Sequence, residues 1–330
     1  MSSAASSAAL RRSPAGLLFI LVGVLGISIN DVLIKQLSGG YPLHQVVLTR
    51  AAVALAFILF MVRAEGGFTI LKTRQPLLHL ARGLLVVISN MSYFVALAVL
   101  PLADATALFF VAPLFITALS IPILGEKVGP MRIAAVMAGF AGVVIMQRPW
   151  AAGDTLAASR LVMVLPVLSA FAYALMQIMT RKLGATTKAS AMAAYIQAMF
   201  ILVSLGFFLI AGDGRFAAGS DIPSVQFLLR AWIWPAHDDL PLLLGLGALA
   251  SVSGYCLSQA YRLTDAATVA PFEYVGLPLS VLWGWLFWTE FPAREVWIGI
   301  ALIAGSGLFV FLREQRKARV VARTGIKQRF

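Results

Sequence analysis

Residues Asp104 to Glu126 read DATALFFVAPLFITALSIPILGE: an acidic opening, an apolar run with Pro113 in its middle, and a Gly-Glu close before a polar break. At 1.5 Å per residue, about 20 helical residues cross the roughly 30 Å of hydrocarbon in a bilayer, so this stretch reads as a transmembrane helix. It returns as Asp265 to Glu290, DAATVAPFEYVGLPLSVLWGWLFWTE. The echo continues past each copy. Gly142 and Arg148 stand in the same register from Pro113 as Gly307 and Arg313 do from Pro278, while Glu126 and Glu290 need a one-residue slip. Upstream, DVLIKQL at Asp31 to Leu37 recurs loosely as QIMTRKL at Gln177 to Leu183. A membrane unit that occurs twice implies an internally repeated carrier with its solute site between the halves.

Of the 330 residues, 60% are hydrophobic and 12% charged. Mean hydropathy is +0.89, outside the range of soluble domains. The apolar runs predict ten spans, near 16–37, 42–62, 83–100, 105–124, 130–147, 161–183, 190–211, 241–261, 268–288 and 295–312. Five fall in each half, and an odd number per half forces the second half to enter from the opposite face. The expected fold is therefore an all-α integral membrane protein, ten transmembrane helices arranged as two inverted five-helix repeats at 16–148 and 161–313. A tail at 1–15, a linker at 149–160, a long loop at 212–240 and a basic tail at 314–330 complete the plan. The first apolar run contains Asn30, Asp31 and Lys35 and lacks a small-x-small cleavage site, so it reads as a retained span and not a signal peptide.

A formal charge of +12 in a soluble protein would suggest nucleic acid. Here the positive residues gather at span ends: with the N-terminus inside, nineteen fall on the inner side and five on the outer. That bias is a topology signal, placing both termini in the cytoplasm, and not a nucleic-acid partner signal. The basic C-terminal tail can also touch anionic lipid. Cys256 stands alone, so there is no disulfide framework. Trp232 and Trp234 in the long loop read as interfacial anchors, with a solute-gating lid as the alternative.

Polar side chains within the spans carry the functional information, because a charge at the bilayer centre costs roughly 3 kcal/mol or more and survives only against a cavity or a partner. Asp104 and Asp265, each at a turn before a span, read as helix caps. Glu126 and Glu290 close spans beside loops and read as structural or gating residues. Glu273 lies about eight residues, roughly 12 Å, inward from Asp265, near the midplane. Pro271 and Pro278 flank it, and their rings would free the carbonyls of Ala267 and Tyr274. Its first-half counterpart is near Leu108, so the charge belongs to one half only. It is a candidate proton carrier or the fixed partner of a tyrosine or arginine. Asp31 and Lys35 share a helix face and Arg50 sits at similar depth on the next span, a self-neutralising set whose breaking could gate a path.

The neutral set is Asn30, Ser89, Asn90, Ser92, Tyr93, Tyr173, Gln177, Tyr255, Ser258 and Gln259, with Tyr173/Gln177 and Tyr255/Gln259 paired by i, i+4 spacing. Amides and phenols suit a polar organic solute, or each other across helices. Asn30, Asn90, Tyr93, Tyr173, Gln177, Tyr255 and Gln259 are the candidate solute contacts. Asp31, Lys35, Arg50 and Glu273 are the candidate coupling or gating residues. Ala134, Ala138 and Gly142, one turn apart, mark close helix packing.

The five-plus-five plan, the Pro113 to Gly125-Glu126 ending with its second copy, Arg50 in the second span, and the short glycine-bearing fifth and tenth spans resemble the ten-helix EamA-type branch of the drug/metabolite transporter superfamily, over residues 16–313. The resemblance implies a secondary carrier in the bacterial inner membrane without ATPase activity, its cavity lined by spans one, three, four, six, eight and nine. Relatives in this branch import or export amino acids, S-adenosylmethionine, vitamins such as riboflavin, and toxic compounds. Solute and lipid are the implied partners, no cofactor is implied, and a homodimer stays open. The second copy departs from the pattern with Thr289 in place of glycine before Glu290, and with aromatic Trp283, Trp285, Phe287 and Trp288, so the two ends of the path need not match. A membrane enzyme would need a catalytic constellation. The chain has no HExxH, nucleophile elbow or P-loop, and its histidines, His44, His79 and His237, all lie near span ends. A scaffold or receptor would not need polar residues at matching depths in both halves.

Overall fold

The computed structural model describes residues 14–124, 129–148, 154–183, 189–263 and 270–327, and every regular element among them is a helix. The first half holds α1 (Pro14–Leu37), α2 (Leu43–Glu65), α3 (Pro76–Leu97), α4 (Leu102–Phe109), α5 (Ala112–Leu124) and α6 (Pro130–Gln147). The second holds α7 (Asp154–Leu183), α8 (Ala189–Ala211), the short α9 (Pro223–Leu229), α10 (Leu240–Leu263), α11 (Gly276–Trp288) and α12 (Arg294–Lys327). Pro76, Pro130 and Pro223 stand at helix starts, where a missing N–H costs nothing and the fixed φ is already helical.

Eight described segments are long and apolar enough to cross a membrane, with α4 and α5 together forming one of them, and α6 contributes a shorter apolar helix. The remaining crossing is α11 with the 3-10 segment before it. Thirteen α-helical residues reach only about 20 Å, but the preceding six-residue 3-10 segment Ala270–Val275 rises about 2 Å per residue and completes the distance. Three expected boundaries move, the first being α3, which begins at Pro76, seven residues before the expected start of its span. α7 begins at Asp154, taking up most of the expected linker, and α12 continues to Lys327 through most of the expected basic tail. Glu126, Asp265, Ala267 and the N-terminal tail through residue 13 lie outside the described residues, as does the Ser258 side chain.

The halves interleave. α1 packs on α10, α3 on α7, α2 on α8 and α6 on α12. Exchanging each helix for its counterpart in the other half turns α1–α10 into α7–α3 and leaves α2–α8 and α6–α12 unchanged, as a two-fold repeat requires. α6 and α12 meet at Gly142 and Gly299: a Cβ on Gly299 would stand 2.2 Å from Met146 and 3.1 Å from the Gly142 carbonyl. Of the expected small-residue face, Gly142 makes this close contact, while Ala134 and Ala138 line a shallow groove between the same helices. Phe60 and Leu209, 77% and 81% exposed, are at home only in lipid.

Both repeated stretches break where their prolines lie. Pro113 is the second residue of α5 and Pro278 the third of α11, so each starts a new helix and does not kink an old one. Tyr274, whose carbonyl Pro278 was expected to leave loose, lies in the 3-10 segment that runs directly into α11. The chain instead passes through Phe110–Val111 in the first copy and the 3-10 segment in the second. At the far end of α11, Thr289 has φ 56° and ψ 23°, the left-handed conformation in which helices commonly end on glycine. A β-branched residue there is strained, and this is the site at which the sequence pattern led us to expect glycine. Relief of that strain exceeds the added chain entropy of glycine. Thr289→Gly is expected to raise stability in detergent by about 0.5–1 kcal/mol, read as a higher thermal midpoint; an unchanged or lower midpoint would count against the strain.

Candidate functional site

The chain breaks border a cavity of about 380 Å³ between the halves. Phe109, Phe110 and Pro113 reach it from the α4–α5 junction, and Glu273, Gly276 and Ser280 from the corresponding region of the second copy. Irregular backbone at membrane depth is tolerated where protein or a cavity lies beside it, which is why both breaks face inward. Aromatic rings form much of the wall. Tyr93 lies 5.3 Å from Phe109, Phe109 5.5 Å from Tyr173, and Phe110 5.2 Å from Tyr274.

Of the residues singled out in the sequence, Asn30, Asp31, Arg50, Asn90, Tyr93, Tyr173 and Glu273 line this cavity. Asn30 donates across to the Leu246 carbonyl of α10 (3.1 Å), leaving its own oxygen as an acceptor. Asn90 donates to Val86 one turn back on its own helix (3.1 Å). Ser89 bonds the Ser169 carbonyl (3.0 Å), tying α3 to α7. The Tyr93 hydroxyl donates to Asp31 Oδ2 (3.2 Å) and shares a hydrogen bond with Thr106 Oγ1 (3.0 Å), a chain that fixes the carboxylate.

The other four do not line the cavity. Gln177 sits behind Tyr173, its amide donating to the phenolic oxygen (2.6 Å), so it orients a wall residue. Tyr255, 42% exposed, turns outward from α10 and accepts from Gln259 (2.8 Å). The i, i+4 spacing correctly joined each pair on one face, but spacing does not say which face looks inward. Cavity-lining Ser28, Thr106, Ser169, Ser253 and Ser280 went unnamed for the same reason. Short hydroxyls in apolar helices usually bond their own backbone, as Ser28 does to Leu25 and Ser280 to Leu277.

Lys35 corrects the expected Asp31–Lys35–Arg50 triad. Its long side chain leaves Asp31 and reaches the end of the bundle, where Nζ lies 2.9 Å from both carboxylate oxygens of Glu290 and 2.8 Å from the Leu100 carbonyl. Glu290 also accepts from the Leu102 amide (3.3 Å), and Trp288 lies under the ammonium at 4.9 Å. Asp104 is no helix cap: Pro101 holds that position, while Asp104 Oδ1 is buried without a hydrogen bond, its charge felt by Arg148, Glu290 and Lys35. Arg148 itself pairs with Glu295 at 3.1 Å.

The long connection closes over this same end. Gln45 exchanges hydrogen bonds with both backbone groups of Ile233 (2.7 and 3.3 Å), Tyr41 donates to Asp239 (2.6 Å), and Arg230 donates to the Gly39 carbonyl (2.5 Å). His44, fully buried, stacks between Phe207 and Trp232 and contacts the Leu228 carbonyl at 3.0 Å. Trp232 is thus a packing residue of a sealed end, whereas Trp234, 93% exposed, is free to sit among lipid headgroups.

Residues 14–148 match the EamA-like transporter family. Over 93% of its length the chain is 32% identical to the riboflavin transporter of Rhizobium johnstonii, covering 94% of that protein. It is 31% identical to the riboflavin transporter of Vibrio cholerae, covering 92% and 95% of the two chains. The chain belongs to the EamA-like transporter family. It is thus a multi-pass membrane protein of the drug/metabolite transporter superfamily, a transporter of small metabolites among relatives that are transporters and not enzymes. A third relative, the S-adenosylmethionine uptake transporter of Rickettsia prowazekii, is 27% identical over 91% of this chain and 94% of its own.

In this EamA-family transporter the Lys35–Glu290 contact is a charge pair largely removed from water, so removing either partner strands the other. Lys35→Met and Glu290→Leu are each expected to cost about 2 kcal/mol of stability, and the double variant less than their sum by about 1–2 kcal/mol. Thermal midpoints of the four proteins in one detergent give the cycle; strictly additive losses would remove the pair as a latch.

Proposed function

We propose that this EamA-family protein is a secondary carrier of riboflavin-type flavins in the bacterial inner membrane, working by alternating access about the central cavity. The observation that carries the reading is the cavity itself, lying between the halves with rings on its walls and amides and hydroxyls along its edges. Stacked or edge-on aromatic contact suits a flat tricyclic ring, and scattered hydrogen-bonding groups suit a polyhydroxylated side chain. The two relatives named riboflavin transporters support the same class. On this reading Asn30, Asn90, Tyr93 and Tyr173 contact the solute, Asp31 and Arg50 face it, Lys35 latches one end, and Glu273 carries the coupling proton. The distribution of lysine and arginine favours cytoplasmic termini, which puts the Lys35–Glu290 end on the outer side. A second reading, a cationic solute of the S-adenosylmethionine class, draws on two cavity carboxylates, Asp31 and Glu273, against one guanidinium, Arg50.

Proteoliposomes holding the purified chain, offered labelled riboflavin or labelled S-adenosylmethionine, separate these readings. Saturable riboflavin flux, faster with acid on the entry side, is expected; flux of S-adenosylmethionine alone would transfer the assignment to the second reading. Glu273 shares its surroundings with Tyr173, Tyr274, Asp31 and Arg50. Glu273→Gln is expected to keep riboflavin counterflow and to lose the acceleration by a pH gradient. An undiminished response to the gradient would reject Glu273 as the proton carrier.

A further inference from the structure

Arg50 is the unusual cation of this molecule. It stands on α2 at the cavity wall, its guanidinium carbon 5.4 Å from the centre of the Phe94 ring. Its charge interacts with that of Asp31. Yet among the described residues it donates no side-chain hydrogen bond, no carboxylate stands within ion-pair distance of it, and its Nε is buried without a partner. A guanidinium has five donors in a fixed fork, and leaving one unmet away from water, as Nε is here, is costly. Asp31 beside it is held the other way: Tyr93 engages Oδ2 and leaves Oδ1 without a hydrogen bond among the described residues. Donor and acceptor therefore face one cavity, near enough to feel each other's charge and beyond ion-pair distance. Ser253 Oγ, also buried and unpartnered, faces the same cavity from α10.

Resting on the flavin reading above, we propose that Arg50 and Asp31 together read one edge of the transported ring. The guanidinium donates to a ring carbonyl and the carboxylate accepts from the adjacent N–H, so the carrier selects neutral heteroaromatic rings with a lactam or imide edge. A fully anionic solute would satisfy Arg50 but face Asp31 and Glu273, and a simple cation would meet Arg50. A neutral edge offering C=O next to N–H matches both members and replaces the hydrogen bonds that neither finds in the protein. Phe94 lies under the guanidinium and contributes a cation–π contact at the wall.

The test uses the full chain in detergent and in proteoliposomes, with riboflavin, N3-methylriboflavin, and the 2-thio and 4-thio flavins as probes. Binding is read by quenching of flavin fluorescence and flux by uptake. The wild type is expected to bind N3-methylriboflavin about 10- to 100-fold more weakly than riboflavin, and at least one thio analogue about 10-fold more weakly. Asp31→Ala should bring the N3-methyl ratio close to one, and Arg50→Gln should do the same for the thio ratio. A merely structural role for either residue would weaken all probes alike and leave the ratios unchanged. Equal binding of riboflavin and N3-methylriboflavin by the wild type overturns the proposal without any variant having to fold. If the wild type neither binds nor moves riboflavin, the flavin reading falls and this inference falls with it; if riboflavin moves but the ratios are flat, this inference alone is lost.

Discussion

Hydrocarbon offers a backbone amide nothing to bond, and this constraint decides where the chain may leave the helix. Among the described residues it leaves the α-helix within the two repeated stretches, at Phe110–Val111 and along Ala270–Val275, and both departures lie in the interior beside the cavity. Pro113 and Pro278 make the departures inexpensive by restarting the helices at positions where no amide hydrogen is needed. The cavity and the breaks are thus one feature: the space is where irregular backbone is tolerated, and the irregular backbone shapes the space.

One end of the bundle is held together by two kinds of contact. Lys35 and Glu290 hold it electrostatically, with Leu100 and Leu102 supplying a carbonyl and an amide that hold the pair in place. The 212–240 connection holds it by packing, through His44 between Phe207 and Trp232 and through the amide of Gln45. The strained Thr289 immediately precedes Glu290, so backbone strain and the charge pair occupy neighbouring positions. Strain kept at such a place is common where two arrangements must alternate. The scaffold follows the repeat, yet the charges do not. Asp31 and Arg50 come from the first half and Glu273 from the second, so the cavity is chemically asymmetric inside a nearly symmetric frame.

Hydropathy and repeats made most of the fold legible. The helical class and the apolar crossings follow from local composition, because the bilayer acts on each segment as the same solvent whatever the rest of the chain does, whereas the breaks before Pro113 and Pro278 were not legible in runs that read as continuous helices. The unusual residue before Glu290 was visible as well, though its left-handed backbone was not. Seven of the eleven residues singled out as candidate contacts or gates line the cavity.

What only the tertiary structure decided is facing and partnership. Tyr255 with Gln259 and Tyr173 with Gln177 have the same spacing, yet the first tyrosine looks outward while Tyr173 faces the cavity with Gln177 behind it. Lys35 follows Asp31 by one turn and still bonds Glu290, which is distant in sequence. Asp104 sits where a cap would stand and caps nothing. The physical reason is shared. A helix apolar all round gives lipid and protein interior nearly the same pattern, so its orientation is chosen by the packing of α1 on α10 and α3 on α7, which no single segment encodes. Local sequence thus determined that polar groups lie deep in the membrane, and the interleaving of the two halves determined which of them meet in one cavity.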